Sequence, residues 1–189
     1  MVEAKRALRN EMFALRRTLT PELRETAGAR VAELLAESAE FATAQRIVMV
    51  AALASEVPTA RIIEAALAAK KELLWPRAAA AGRIEVVPGG LHDGFVRDAA
   101  GVPAPPPEVR ACRIAPGDLL LVPGVAFTRR GVRLGRGGGH YDRLLADAGE
   151  CISVGLAFDI QLVEEIPTEL HDRRVDIVAT PSGMWRSTR

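Results

Sequence analysis

Residues 128–143 read Thr-Arg-Arg-Gly-Val-Arg-Leu-Gly-Arg-Gly-Gly-Gly-His-Tyr-Asp-Arg. Glycines at 135, 137, 138 and 139 remove the Cβ atoms that would hold an anion off the backbone, so their amides can point at phosphate oxygens. Five arginines, Arg129, Arg130, Arg133, Arg136 and Arg143, share the stretch with one acid, Asp142. A hydrogen bond between charged groups is worth about 1.5–3 kcal/mol, so the composition suits binding of a polyphosphate. The usual nucleotide fingerprints do not fit. G-x-x-x-x-G-K-[ST] needs a lysine, which is missing here, and G-x-G-x-x-G counted from Gly135 meets His140 at its sixth position. The stretch is therefore a phosphate cradle of another kind, or a flexible surface turn.

A bare carboxylate repels phosphate, so Asp142 suits an anion site when a hard cation lies between. Mg²⁺ takes one or two carboxylates together with phosphate oxygens and waters. A second carboxylate could come from residues 170–176, Leu-His-Asp-Arg-Arg-Val-Asp, which leaves the pairing open. The plainer reading is an acid in the first turn of a helix, favoured by the dipole by about 0.3–1 kcal/mol. Loss of its charge is then expected to cost the fold little. Cys112 and Cys151 have no paired spacing and read as reduced core thiols, and no Ser-His or Cys-His motif stands out.

These residues need a frame. Ala4, Leu8, Met12, Leu15 and Leu19 recur at helical spacing and predict one apolar stripe. Thr20 and Pro21 read as an N-cap and first helical residue, and Leu23, Ala27, Val31, Leu34 and Leu35 carry a second stripe to about Ser38. Residues 47–50 and 73–75 are short apolar strands joined by a helix capped at Thr59 and running to about Lys71, a β-α-β unit with parallel strands. Residues 76–117 read as a long loop with short strands, among them 84–87, forming an excursion or part of a binding mouth. Strands follow at 119–122, 152–158 and, last, 176–179, with helices at 140–148 and near 160–165. The alternation predicts an α/β protein, a three-layer α/β/α sandwich with a mostly parallel central sheet. The glycine loop then sits at the carboxyl end of a buried strand, where open α/β sheets bind ligands.

The chain has 189 residues, 49% hydrophobic and 26% charged, with 25 basic and 24 acidic residues and a net charge of +1. One compact domain over 1–189 is expected. Near-neutral charge argues against a nucleic-acid or anionic-membrane partner, so any anion site must be local. A charged N-terminus and short apolar runs predict neither a signal peptide nor a membrane span, and a cytoplasmic location.

Further pieces carry a family likeness. Lys5, Leu8 and Arg9 form K-x-x-L-R. Residues 56–59 read E-V-P-T, Pro76 is followed by Arg77, and 101–105 read G-V-P-A-P. V-P-G-V-A-F at 122–127 precedes R-L-G-R-G-G-G-H-Y-D at 133–142. The end keeps G-L-A-F at 155–158, then Gln161, Pro167, His171, Asp172, Val175 and Asp176. Over nearly the whole chain this order resembles the 5-formyltetrahydrofolate cyclo-ligase family, also called 5,10-methenyltetrahydrofolate synthetase. The resemblance implies conversion of 5-formyltetrahydrofolate and MgATP to 5,10-methenyltetrahydrofolate, ADP and phosphate, by phosphorylation of the formyl oxygen and attack of N10. It implies ATP contacts from Lys5, Arg6 and Arg9 and from Arg133, Leu134, Gly135, Arg136, Gly137, Gly138, Gly139, His140 and Tyr141. Arg136 and Tyr141 become the catalytic pair. Glu56, Pro58, Ala100, Arg136 and His140 meet the reduced folate, and Asp142 and Asp176 hold Mg²⁺. Without the family, Lys5 and Arg9 would read as an i,i+4 pair on a solvated helix face.

Three positions depart from the family pattern. Pro58 stands where an acid or amide is usual, Ala100 where an aromatic is common, and His140 in place of the first tyrosine of Y-Y-D. All three belong to the folate side, and Phe95, Phe127, Tyr141 and Phe158 are the rings that could stack in compensation. Two other readings stay open: a paralogue with the same ATP and Mg²⁺ site acting on another small substrate, and a nucleotide-binding domain without turnover.

Overall fold

The computed structural model describes residues 1–90, 94–98 and 101–187. Three helices come first: α1 (Val2–Arg17), α2 (Pro21–Ala36) and α3 (Ala39–Thr43). Then follow β1 (Arg46–Val48), α4 (Ala60–Ala68), β2 (Glu72–Ala78), β3 (Ile84–Pro88), and two-residue strands β4 (Val96–Arg97) and β5 (Pro103–Ala104). The second half holds β6 (Leu119–Pro123), β7 (Ala126–Phe127), β8 (Arg133–Leu134), α5 (His140–Asp147), β9 (Ile152–Leu156), β10 (Ile177–Thr180) and β11 (Gly183–Arg186).

Seven strands form one sheet in the order β11-β10-β9-β6-β1-β2-β3. The five inner strands are parallel, and β3 and β11 pair antiparallel at the two edges. Alternating strand residues feed two cores. Ile47, Leu73, Leu119, Leu121, Val154 and Ile177 face α2 and α4. Val48, Leu74, Leu120, Val122 and Val178 face Leu144 and Ala148 at α5. The three-layer, mostly parallel sandwich is therefore present. No helix among the described residues is long and apolar enough to cross a membrane.

Several local expectations change. Of the predicted α1 stripe Met12 is buried and Leu8 half-buried, but Leu15 is exposed, and the buried face also takes in Lys5 and Arg16. Met12 packs with Val125, Ala126, Leu134 and Ile166, so α1 covers the β7–β8 hairpin beyond the sheet. Thr20 caps α2 through its side chain as expected, but the Thr59 hydroxyl donates to the Val50 carbonyl and ties α4 to the end of β1. The expected helix near 160–165 is one 3₁₀ turn, Asp159–Gln161. The strand at 176–179 is not the last, because residues 181–182 turn the chain into β11. Neither cysteine is in a disulfide, Cys151 being buried and Cys112 half-buried.

Phe127, wholly buried, fixes the hairpin to the sheet. A Cβ at Gly124 would lie 2.4 Å from its ring, and one at Gly155 also 2.4 Å. Both positions must therefore lack a side chain for the ring to enter. Gly155→Ala is expected to destabilise the protein by about 1–3 kcal/mol through overpacking, measured as a lower urea midpoint at unchanged slope.

Candidate active site

The chain leaves β1 toward β2 and β3 on one side and returns as β6 on the other. This reversal opens a crevice beyond the carboxyl ends of β1 and β6, where α/β sheets place ligands. A cavity of about 430 Å³ lies there, floored by Val50, Ala51, Pro123 and Gly124. That falls within the roughly 300–1,000 Å³ of small-molecule pockets. Pro76, Ala78, Arg83 and Ile84 of the β2–β3 pair form one wall, and Asp98, Gly101 and Val102 extend it. Glu56 and the glycine loop form the other. The long excursion is thus part of the mouth.

The loop reaches this wall because it joins β8 to α5. Gly139 is the α5 N-cap with φ +64°, and Gly137 has φ +111°, a conformation glycine adopts without strain. Arg143 donates to the carbonyls of Gly138 (2.8 Å) and Gly82 (2.6 Å), tying the loop to the β2–β3 turn. Arg9 of α1 donates to the Gly135 carbonyl at 2.8 Å. Below the loop, the 5%-exposed Arg133 pairs with Asp142 Oδ1 at 2.8 Å. Burial pushes the Tyr141 phenol well above its ordinary range and the Glu56 charge adds to this, against Arg133. Tyr141 is therefore a neutral donor near neutral pH. Glu56 accepts from the Leu53 amide at 3.0 Å and lies 3.7 Å from the Arg136 guanidinium.

Lys5 is buried between Glu169 (2.8 Å) and Asp172 (2.6 Å). Burial alone lowers its pKa, but the hydrogen bonds and charges of these two carboxylates outweigh it and hold the ammonium above the usual lysine value. Lys5 is thus charged and clasped.

Among the expected site residues, Glu56, Arg133, Gly135 and Arg136 meet at the cleft. Gly138, Gly139, His140, Tyr141 and Asp142 join them. Arg9 stands beside Gly137. Others are not brought there. Arg6 is exposed and pairs with Glu3 one turn back. Leu134 is core. Pro58 packs against Gly28 of α2, and Ala100 lies outside the described residues. Of the candidate rings, Tyr141 lines the cleft, whereas Phe127 and Phe158 are core and Phe95 meets Trp75 edge-to-face at 5.1 Å. Arg83 and Asp98 were not singled out for this site by sequence, and Arg143 was read only as part of the loop's charge, because no local pattern says that the β2–β3 turn closes over the glycine loop. Asp98 accepts from the amides of Ala78 and Val102 and so holds the mouth.

The model of the 5-formyltetrahydrofolate cyclo-ligase family matches residues 1–181. The chain belongs to that family. The 5-formyltetrahydrofolate cyclo-ligase of Escherichia coli K12 is 31% identical over 175 residues, covering 90% of this chain and 96% of its own. The probable cyclo-ligase of Caenorhabditis elegans is 29% identical over 189 residues, covering 93% and 92%. Among solved structures, the 5,10-methenyltetrahydrofolate synthetase of Aquifex aeolicus matches with a TM-score of 0.83 at 27% identity, over 98% of this chain and 93% of that one. Membership of the cyclo-ligase family makes this protein a ligase and supports 5-formyltetrahydrofolate cyclo-ligase activity, which sets aside the reading without turnover.

For this cyclo-ligase family member, the fit of Mg²⁺ can be judged from the donors. Asp142 accepts from Arg133 and from the Arg173 amide (3.1 Å), both on Oδ1. Its Oδ2 accepts nothing among the described residues while the residue lines the cleft, which fits a one-carboxylate Mg²⁺ site completed by phosphates. Asp176 is placed elsewhere. Its Oδ2 accepts from the amide (2.9 Å) and hydroxyl (2.7 Å) of Ser153, at the amino end of β9 and β10, opposite the cleft. The carboxylate of residues 170–176 on the cleft side is Asp172, next to the residue that bonds Asp142, and it holds Lys5. The Arg133 pair also corrects the expectation that Asp142 matters little to stability. Asp142→Asn leaves a buried guanidinium without its counter-charge, so a loss of about 1–3 kcal/mol is expected, read by chemical denaturation without ligand.

Proposed function

We propose that this protein converts 5-formyltetrahydrofolate and ATP, with Mg²⁺, to 5,10-methenyltetrahydrofolate, ADP and phosphate. The observation that carries the reading is the meeting, in one cleft, of an arginine-flanked glycine loop and the acidic loop at Glu56, with Arg136 between them.

The glycine-loop amides and the amino end of α5 receive the triphosphate. Arg9 stiffens that loop through Gly135. Glu56 orients the pterin side. The formyl oxygen attacks the γ-phosphorus, a P–O bond forms, and the bond to the β-phosphate oxygen breaks with ADP leaving. N10 then attacks the formyl carbon and loses its proton to solvent, and phosphate departs with the former formyl oxygen. Arg136 offsets the charge on the transferred phosphoryl group, and Tyr141, whose phenol is neutral at neutral pH, donates a hydrogen bond. Asp142 is the residue that would hold Mg²⁺, whose contribution is charge neutralisation at the phosphates. Positioning and electrostatics suffice, in keeping with the missing nucleophile motif.

The test is the methenyl absorbance formed from 5-formyltetrahydrofolate. Product is expected with MgATP and none with ATP plus chelator. Arg9→Ala is expected to raise KM for ATP by roughly tenfold, the worth of one charged hydrogen bond, and KM for folate by less than about twofold. MgATP hydrolysis that ignores the folate would favour the paralogue with another substrate, and unchanged ATP affinity in Arg9→Ala would remove α1 from the phosphate site.

A further inference from the structure

Helix α1 carries Arg9 and Arg16 two turns apart, and they fix the two loops that together form one wall of the cleft. Arg9 bonds the phosphate side at Gly135. Arg16 is 1% exposed, and its guanidinium grips one residue of the neighbouring loop: Nε donates to the Ser55 carbonyl and Nη2 to the Ser55 hydroxyl, both at 2.7 Å. Ser55 directly precedes Glu56. No carboxylate pairs with Arg16 among the described residues, and its Nη1 is buried without a hydrogen-bond partner. A buried charge left this incompletely matched is expensive for a fold, and an apolar residue would suit the core better.

What Arg16 supplies is the place of the loop. Residues 51–58 have no helix or strand of their own. Their internal order is a turn, with the Glu56 amide on the Leu53 carbonyl (2.8 Å) and the Leu53 amide on the Glu56 carboxylate (3.0 Å). That turn closes on itself but needs an outside anchor to face the cleft. Arg16 provides the buried anchor, and half-buried Arg24 adds a bond to the Ala54 carbonyl at 2.6 Å. The Phe13 ring lies between two guanidinium groups, Arg16 at 5.9 Å and Arg136 at 5.6 Å from its centre. One face of α1 therefore bears on both Glu56 and Arg136.

We propose that Arg16 is a positioning residue for the reaction: through Ser55 it sets Glu56 at the folate side, at a spacing from the phosphate loop fixed by the rigid helix it shares with Arg9. This rests on the cyclo-ligase reading above.

Steady-state kinetics and thermal melts of the full chain, with Arg16→Met, Arg16→Lys and Ser55→Ala, test it. Arg16→Met is expected to raise KM for 5-formyltetrahydrofolate by roughly tenfold or more, with KM for ATP within about twofold. Arg16→Lys, which keeps a charged donor, recovers part of that loss, and Ser55→Ala, losing one bond of two, shows a smaller rise of the same kind. In a Glu56→Gln background Arg16→Lys adds little, because both act through one contact. A lower melting temperature with both KM values unchanged, or equal rises in both, overturns the proposal and leaves Arg16 a stabilising residue. If Arg16→Met does not fold, Arg16→Lys and Ser55→Ala decide by the same split. A wild type without folate-dependent turnover overturns the cyclo-ligase reading and the proposal together, whereas an active wild type with indifferent variants overturns the proposal alone.

Discussion

The chain must leave β1 in one direction along the sheet and come back beside it as β6. Two adjacent parallel strands whose following loops turn to opposite sides cannot close the space between their carboxyl ends. Val50, Ala51, Pro123 and Gly124 line the gap this leaves, and every other feature of the site answers to it. The glycine loop is delivered by the hairpin after β6, the acidic loop by the crossover after β1, and the β2–β3 turn leans in from the sheet edge.

Those three segments have little regular structure and no common core, so polar contacts hold them in register. Arg143 joins the turn to the glycine loop, Arg133 joins the hairpin to α5 through Asp142, and α1 contributes Lys5, Arg9 and Arg16. The same cations that suit the region to phosphate are thus structural partners before any ligand arrives. Two ends of the arrangement differ in freedom. Arg133 and Arg16 are sealed, whereas Arg136 is more than half exposed and 3.7 Å from Glu56. In the proposed reaction the exposed guanidinium is the one with room to move toward a phosphoryl group.

Much of this was legible in the residues. Apolar β-rich runs and their alternation with helical segments determined the layered α/β architecture, because burial on both faces demands such strands wherever they fall in the sheet. The glycine spacing at 135–139 determined that a loop with few Cβ atoms opens a helix, since φ above zero and missing Cβ atoms are local properties. Tertiary structure alone decided which face of α1 is buried. Lys5 and Arg16 become interior only because Glu169, Asp172 and Ser55 arrive from far along the chain, so an apolar stripe was misleading there. It also decided between the two aspartates near the last parallel strand. Asp172 turns to the cleft side, next to the Arg173 amide that bonds Asp142, and Asp176 bonds Ser153 at the opposite end of the sheet. Local composition fixes backbone conformation and burial tendency, but the pairing of charges over more than a hundred residues depends on topology, and topology is where the cleft came from.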